Sequence, residues 1–304
     1  MKKITIVTVN YNTEEDTKNL LTSIKKLNKS NFLLSIIVVD NGSKNIFKSD
    51  QSEDLEIIRI DENTGFTGGF NKGIKSALEK GADYVFIVNN DTILDQNIIE
   101  NMLSVMESNS KIGITVPKIY FAKGHEFHKD RYEKDELGKV FWYAGGYMDW
   151  AHVQSIHRGV DEVDHGQYDA IEKVTFATGC CMMIKKEVLE KVGLFDDKFF
   201  LYYEDADLSE RIKRAGYEIY YVPTAILFHI NASSSGGAGR GNTLQDYFIT
   251  RNQMLFGMKY APLRTKIALI RQSINLSLNG RPKQKQAIKD YYLGEFGKGT
   301  FFNE

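Results

Sequence analysis

The sequence has few cysteines and prolines, no long apolar run and no excess of either charge. Its two cysteines, Cys180 and Cys181, are neighbours. A disulfide between neighbours would be strained, so we expect both to be reduced packing residues. With only 4 prolines and 42% apolar residues among 304, the chain is neither collagen-like nor broadly disordered. Since 39 basic residues nearly balance 40 acidic ones, no overall field favours a nucleic-acid partner.

The apolar runs have the length of β-strands. Runs such as residues 4–9 and 84–88 fall far short of the roughly 20 residues that cross a bilayer. The first residues also lack the apolar stretch and cleavage site of a signal peptide. We therefore expect the chain to stay in the cytoplasm.

Strand and helix patterns alternate through the first part of the chain. They predict strands at 4–9, 35–39, 55–60 and 84–88, with helices after residue 13 and over 69–80. This alternation predicts an α/β fold with a mostly parallel sheet flanked by helices. Ligands of such sheets bind at the carboxyl ends of the strands.

The later part of the chain is less regular. We predict an inserted loop over 121–139, strands over 141–147, 174–184, 217–222 and 225–229, a helix over 205–215 and a Gly/Ser-rich segment over 233–241. Helical patterns at 244–259 and 265–278 follow. The predicted organisation is one domain over 1–240, with halves at 1–115 and 116–240, and a helical C-terminal extension over 241–304.

Two polar segments follow predicted strands. Asp40 could accept a hydrogen bond from a pyrimidine base or a ribose, or could simply form a turn with Asn41 and Gly42. Residues 65–73 contain four glycines, which let N–H groups approach a diphosphate or let a helix pack tightly on the sheet. Their spacing is not that of a dinucleotide fingerprint, which argues against a dehydrogenase.

Acidic residues stand at two further positions. Asp91 in Asn89-Asn90-Asp91 could bind Mg²⁺ or Mn²⁺ at a strand end, although such turns are common. Glu204 and Asp205 lie at a helix start beside a run of aromatics, and one carboxylate there could be a general base. The alternative is helix capping, for which Asp207 and Glu210 offer a capping box.

His229 ends an apolar strand. It could be a further metal or phosphate ligand, or a hydrogen-bonded core histidine.

Taken together, these residues resemble the family 2 glycosyltransferases of the GT-A fold, in particular the bacterial rhamnosyltransferase-like branch. The match covers roughly residues 3–260. The resemblance implies that Asp205, beside Glu204, acts as base and that Asp91, with His229, holds a divalent cation, Mg²⁺ or Mn²⁺. It implies donor contacts from nine positions, with Asp40 on the base and Arg251 on the diphosphate: Val9, Asn10, Tyr11, Asp40, Gly65, Gly69, Asn71, Asn90 and Arg251.

The function implied is inverting sugar transfer. The nucleotide-sugar donor would be dTDP-rhamnose or a UDP-sugar, and the acceptor a hydroxyl of a glycan or lipid-linked saccharide in cell-surface polysaccharide synthesis. A sugar nucleotidyltransferase and a non-catalytic sugar-binding protein remain as alternatives.

The C-terminal part is basic. Residues 259–298 contain nine basic and two acidic residues. This surplus could hold the chain peripherally at the inner face of the cell membrane, or serve a homodimer contact or a solvated face.

Overall fold

A computed structural model describes residues 1–49, 53–230 and 243–303. The strands are β1 (Lys2–Asn10), β2 (Phe32–Asn41), β3 (Leu55–Ile60), β4 (Tyr84–Val88), β5 (Thr92–Leu94), β6 (Ile112–Phe121), β7 (Phe141–Tyr143), β8 (Gly146–Asp149), β9 (Gln154–His157), β10 (Glu172–Val174), β11 (Cys181–Lys185) and β12 (Glu218–His229). The α-helices are α1 (Glu14–Ile24), α2 (Gly65–Glu79), α3 (Ile98–Ser108), α4 (Lys186–Val192), α5 (Glu204–Arg214), α6 (Thr243–Tyr260), α7 (Leu263–Asn279) and α8 (Pro282–Leu293).

Within the described residues, one ten-stranded sheet organises the fold. Its order is β10-β12-β6-β11-β4-β1-β2-β3, with β5 paired to β12 and β7 to β6. Strands β1 to β4 are parallel to one another, and so are β6 and β12, whereas β11 runs antiparallel between β4 and β6. The predicted α/β architecture is thereby confirmed, with antiparallel strands added in the second half.

The centre of the sheet is fully buried. All five residues of β4 and all five of β11 are buried, and Cys180 and Cys181 lie in this core as free thiols. Helix α2 packs closely on β1, because a Cβ on Gly73 would lie 2.4 Å from Val7 Cγ1. Because β1 pairs in parallel with both β2 and β4, the carboxyl ends of these three strands lie at the same edge of the sheet.

Several predicted elements differ in extent. Helix α2 begins at Gly65, four residues before the predicted start, so the glycine-rich segment is helical. The predicted 174–184 strand is two strands, and 217–229 is one strand with an irregularity between Val222 and Ile226. The segment 122–139 forms a loop as predicted, with one 3-10 turn at Lys129–Arg131.

The C-terminal region contains three helices that pack on one another, and α8 had no counterpart in the prediction. The predicted Gly/Ser segment over 233–241 and the boundary at 240 lie outside the described residues, so the division into domains stays a prediction. Over the described ranges, none of the helices combines the length and apolar character needed to span a bilayer.

Candidate active site

The ends of β1 and β2 meet through Asn10 and Asp40. Asn10 Nδ2 donates to Asp40 Oδ1 at 3.2 Å, while Asp40 Oδ2 accepts from the Phe47 N–H at 2.9 Å and from Arg59 at 2.7 Å. Burial alone would raise the pKa of Asp40, but hydrogen bonds from Ser43, Phe47 and Arg59 hold it below its usual value. Asp40 is therefore an ionised carboxylate at the predicted place, fully buried and already partnered by the protein.

The loop after β1 contains the other predicted donor contacts of this strand. Tyr11 is 42% exposed at the rim of the cleft, whereas Val9 is half-buried beside Gly69. Asn12 has a left-handed backbone and accepts from the Lys44 N–H at 2.8 Å. Tyr11 and Asn12 are thus the exposed residues of this loop.

The glycines of α2 serve packing. A Cβ on Gly65, whose φ is +75°, would lie 2.4 Å from the Phe200 carbonyl oxygen, and one on Gly69 would lie 3.0 Å from Val9. The N–H groups of Gly65 and Thr67 are bonded to Asn63 and to the Phe200 carbonyl. Gly65 and Gly69 thus allow tight helix packing, and protein acceptors take the N–H groups of Gly65 and Thr67, while the phosphate contact of Gly65 and Gly69 stays a prediction.

Asn71 and Asn90 tie elements together. Asn71 Nδ2 donates to the Phe195 carbonyl and to Asp197, and its Oδ1 accepts from the Phe195 N–H. Asn90 Nδ2 donates to the side chains of Thr13 and Thr17 at the start of α1. Both predicted donor residues therefore have their amide donors bonded within the protein.

Asp91 and His229 come together as a pair. His229 Nε2 lies 3.3 Å from Asp91 Oδ1, and both side chains are more than nine-tenths buried. The Ile230 N–H donates to the Asp91 carbonyl at 2.9 Å, which fixes the end of β12 against the loop after β4. Two residues separated by 138 positions are thereby held at one point, as the predicted metal site requires.

The surroundings of this pair suit a cation. The carboxylate of Asp16 is close enough to Asp91 that burial and that charge together raise the Asp16 pKa. His229 Nδ1 is buried and has no partner among the described residues. A carboxylate and an imidazole fit Mn²⁺, and two protein ligands leave positions for phosphate oxygens and water. The described ranges contain no cluster of three such ligands.

Glu204 and Asp205 begin α5 and differ in environment. Asp205 is half-buried, and its two oxygens accept from the N–H groups of Gly179 at 3.0 Å and Ala206 at 2.8 Å. Burial, opposed by these bonds, raises the pKa of Asp205 to about 6. Glu204 is buried, its Oε2 has no partner within the described ranges, and burial with the Asp205 charge raises its pKa well above the usual value. The negative charge of Asp205 therefore opposes ionisation of Glu204.

The other carboxylates of this helix are occupied. Asp207 is fully buried and accepts from Arg211, Lys259 and Tyr260, at 2.7 to 2.8 Å. Glu210 pairs with Lys213 and Arg214. The helix has Tyr203 as N-cap and no side-chain cap bond, so the capping-box alternative for Asp207 and Glu210 is wrong.

The loop before α5 is strained. Phe200, Tyr202 and Tyr203 have φ values of +63°, +69° and +71°, a region that residues with side chains seldom occupy. Arg251 and Asn252 from α6 hold this loop from behind. Asn252 Nδ2 donates to the carbonyls of residues 199, 201 and 202 at 2.8 to 2.9 Å.

Arg251 also holds the loop before α5. Its guanidinium donates to the carbonyls of Lys198 and Phe199 and lies over the rings of Tyr247 and Phe248. The side chain is fully buried. The predicted diphosphate contact of Arg251 is therefore corrected, because its guanidinium already donates to backbone carbonyls of the loop before α5.

One short segment connects the two halves of the site. The Gly179 N–H donates to Asp205, and the carbonyl of the next residue, Cys180, accepts from the Asn89 N–H at 2.8 Å. Asn89 opens the turn that carries Asp91. The half-buried carboxylate and the Asp91–His229 pair are thus held on either side of residues 179–180.

The rings of Trp142 and His157 lie beside the Asp91–His229 pair, and the sequence patterns did not predict them. The Trp142 ring lies edge-on to His229 at 4.6 Å and to His157 at 4.5 Å between centroids. Burial lowers the pKa of His157 to about 4, so its imidazole is neutral near pH 7. The only signal was the Phe-Trp-Tyr run at 141–143, which periodicity indicates only as a strand.

The comparisons with known proteins agree with this geometry. The chain is 28% identical to the low-salt glycan biosynthesis hexosyltransferase of Haloferax volcanii, over 71% of this chain and 63% of that protein. It is 29% identical to the dTDP-rhamnosyl transferase of Shigella flexneri, over 73% of this chain and 67% of that protein. The chain therefore spans about two thirds of the length of these relatives.

A solved structure confirms the predicted GT-A fold. The crystal structure of GalNAc-T7 with UDP, GalNAc and Mn²⁺ superposes with a TM-score of 0.59 at 15% identity, over 89% of this chain and 54% of that one. The family model described as "Glycosyl transferase family 2" matches residues 5–193, well over half of the sequence. The chain belongs to glycosyl transferase family 2.

Proposed function

We propose that the protein transfers a sugar from a nucleoside diphosphate donor to a hydroxyl of a saccharide acceptor, with inversion at the anomeric carbon. The observation that carries this proposal is the pairing of Asp205 with the Asp91–His229 pair across residues 179–180. One group can take a proton and the other can hold a cation. The proposed transfer uses both.

The chemistry of Asp205 follows from its environment. With a pKa of about 6 it is largely ionised at pH 7, yet it is basic enough to accept a proton. In the proposed step, Asp205 takes the proton of the acceptor hydroxyl while that oxygen bonds to the anomeric carbon. The bond from this carbon to the diphosphate oxygen breaks, and the nucleoside diphosphate leaves with the electron pair. Attack opposite the leaving group inverts the carbon.

Asp91 and His229 would hold the divalent cation. When bound, the ion supplies Lewis-acid stabilisation of the negative charge on the departing diphosphate. The fit rests on the 3.3 Å separation of His229 Nε2 from Asp91 Oδ1 and on the burial of both side chains. The Mn²⁺ in the superposed GalNAc-T7 structure is consistent with this assignment.

The finer proposal concerns the substrates. The proposed donor is dTDP-rhamnose or a UDP-sugar, and the proposed acceptor is a glycan or lipid-linked saccharide of the cell surface. The names of the dTDP-rhamnosyl transferase and glycan biosynthesis relatives support dTDP-rhamnose and a glycan among these. Trp142 and the neutral ring of His157 would form the apolar face on which a sugar ring stacks. Tyr11, exposed at the rim, would cover the nucleoside.

The test is release of nucleoside diphosphate from a panel of dTDP- and UDP-sugars in Mn²⁺. We expect release from one donor, accelerated by a saccharide acceptor. Release of pyrophosphate from a nucleoside triphosphate and a sugar phosphate would instead support a nucleotidyltransferase. Donor binding by thermal shift, without release under any condition, would support a sugar-binding protein and contradict the proposal.

A further inference from the structure

Helix α7 presents an apolar stripe to solvent. The stripe consists of five residues that are each between 41% and 75% exposed: Leu263, Ile267, Ile270, Ile274 and Leu278. At about 100° per residue, these five lie within an arc of about 80° on the helix. Single exposed apolar residues are ordinary, but a continuous stripe along a whole helix marks a surface that contacts something.

Basic side chains flank this stripe. On the same helical projection, Arg264 and Arg271 lie along one edge of the stripe and Lys266 along the other. The sequence of α7 contains no acidic residue. The helix thus combines an apolar stripe with positive charge on both sides, the arrangement of helices that lie in a membrane interface.

Helix α8 extends the positive surface. Its residues Lys285, Lys289 and Tyr292 are exposed, and the Tyr292 hydroxyl lies 2.7 Å from Ser273 Oγ of α7. The one acidic residue of α8, Asp290, is only 1% exposed and accepts hydrogen bonds within the fold. The charge that faces outward beside the stripe is therefore positive.

The stripe is rigidly connected to the candidate active site. Leu269, on the opposite side of α7, packs into α6 so closely that a Cβ on Gly257 would lie 2.3 Å from its Cδ1. The same helix α6 carries Arg251 and Asn252, which hold the loop before Asp205. A surface bound by α7 would therefore have a defined position relative to the catalytic loop.

We propose that the α7 stripe docks on an anionic lipid surface, with its apolar residues at the acyl boundary and its flanking basic residues on the headgroups. The charge argues for lipid as the occupant, because a second copy of this chain would bring its own basic residues against these. The inference does not depend on the proposed sugar transfer, since docking and transfer are measured separately.

The test is co-sedimentation of the full chain with two kinds of vesicle. One is phosphatidylcholine alone and the other is equal parts phosphatidylcholine and phosphatidylglycerol. We expect binding to the anionic vesicles, lowered about tenfold or more in R264E/R271E, because each basic residue near the surface contributes to attraction. In I270Q/I274Q, loss of the apolar contact has a comparable effect.

A matched control keeps the result specific to α7. Val160 and Ile171 are exposed to a similar extent as Ile270 and Ile274 but lie elsewhere on the fold, so V160Q/I171Q should bind as the wild type does. Equal binding of all variants would overturn the proposal. So would a dimer in solution that I270Q/I274Q dissociates while vesicles bind neither form.

Discussion

The two acidic regions of the cleft differ in how far the protein satisfies them. At the ends of β1 and β2, Asp40 is ionised, buried and bonded to Asn10, Phe47 and Arg59. At the start of α5, Glu204 has an unpartnered oxygen within the described residues and Asp205 remains partly open. The carboxylate of the first region is therefore fully used by contacts within the protein. The second region keeps carboxylate oxygens that could contact a substrate.

The difference lies in the backbone as well. The loop before α5 has three aromatic residues with positive φ, each costing about 1–3 kcal/mol and persisting only because the surroundings impose this conformation. Arg251 and Asn252 supply that constraint through the carbonyls of the loop. Such strain is concentrated where a side chain must be held in a defined direction, here that of Asp205.

The largest expected effect comes from removing the proposed base. D205N keeps the shape of the side chain but cannot accept the proton, so transfer should fall about 100-fold or more while donor binding persists. The measurement is initial rate at saturating donor, with thermal shift for binding. E204Q is the matched control, because burial and the Asp205 charge raise the pKa of Glu204 and favour its neutral form, which Gln resembles, so transfer should fall far less. Near-normal transfer by D205N would remove the distinction between the two regions.

The next effect concerns the cation pair. D91N removes a charged ligand, so the Mn²⁺ concentration for half-maximal transfer should rise. We expect a rise of roughly 10–100-fold or more, because loss of a group that only hydrogen-bonds a metal ligand already weakens metal binding by this factor. Titration of a chelated sample with Mn²⁺ measures it. An unchanged titration curve would show that Asp91 does not bind the ion. D95N, a substitution at a nearby aspartate after β5, should leave the curve unchanged.

A smaller effect tests the hydrogen bonds from Asn252 to the loop before α5. N252A removes three hydrogen bonds to the strained loop, and we expect a loss of about 1–3 kcal/mol in unfolding free energy together with a lower kcat. Urea unfolding and steady-state kinetics measure the two. The neighbouring Q253A removes one bond, to the His152 carbonyl, and should change neither appreciably. If N252A keeps the free energy of unfolding of the wild type but has a lower kcat, then Asn252 positions the loop rather than stabilising the fold.

The smallest change is in the pH dependence. Because the pKa of Asp205 is raised to about 6, kcat/KM should rise with pH as the carboxylate ionises and level off above pH 7. Stability should move the other way, since a carboxyl that binds protons more tightly in the folded state loses stability as pH rises from about 4 to 6. A rate already constant at pH 5 would contradict the raised pKa.

Sequence patterns predicted much of the fold and part of the site. The runs at 4–9, 55–60 and 84–88 are strands because β-branched and apolar residues predominate in them. Helix α8 escaped prediction, because six of its twelve residues are Lys or Gln or Asp and its apolar positions are few. Trp142 was not identified because one aromatic residue in a strand has no periodic signature.

The site residues divide in the same way. Asp91, His229 and Asp205 were predicted as site residues because carboxylates and imidazoles at strand and helix ends have evident chemical roles, and the structure places Asp91 beside His229. Gly65, Asn71 and Arg251 were assigned to the donor, yet their backbone or side-chain groups contact the protein in the structure. Residue type alone does not distinguish a donor aimed at a ligand from one aimed at a carbonyl.

Local sequence by itself determined the strands, most helices and the chemical identity of the reactive groups, because these depend on side-chain type and short spacing. Tertiary structure alone decided which groups remain available. Contacts between residues far apart in the sequence occupy the hydrogen-bond donors of Arg251 and place His229 beside Asp91. It also left the α7 stripe exposed, because helical period marks an apolar face but not whether the fold covers it.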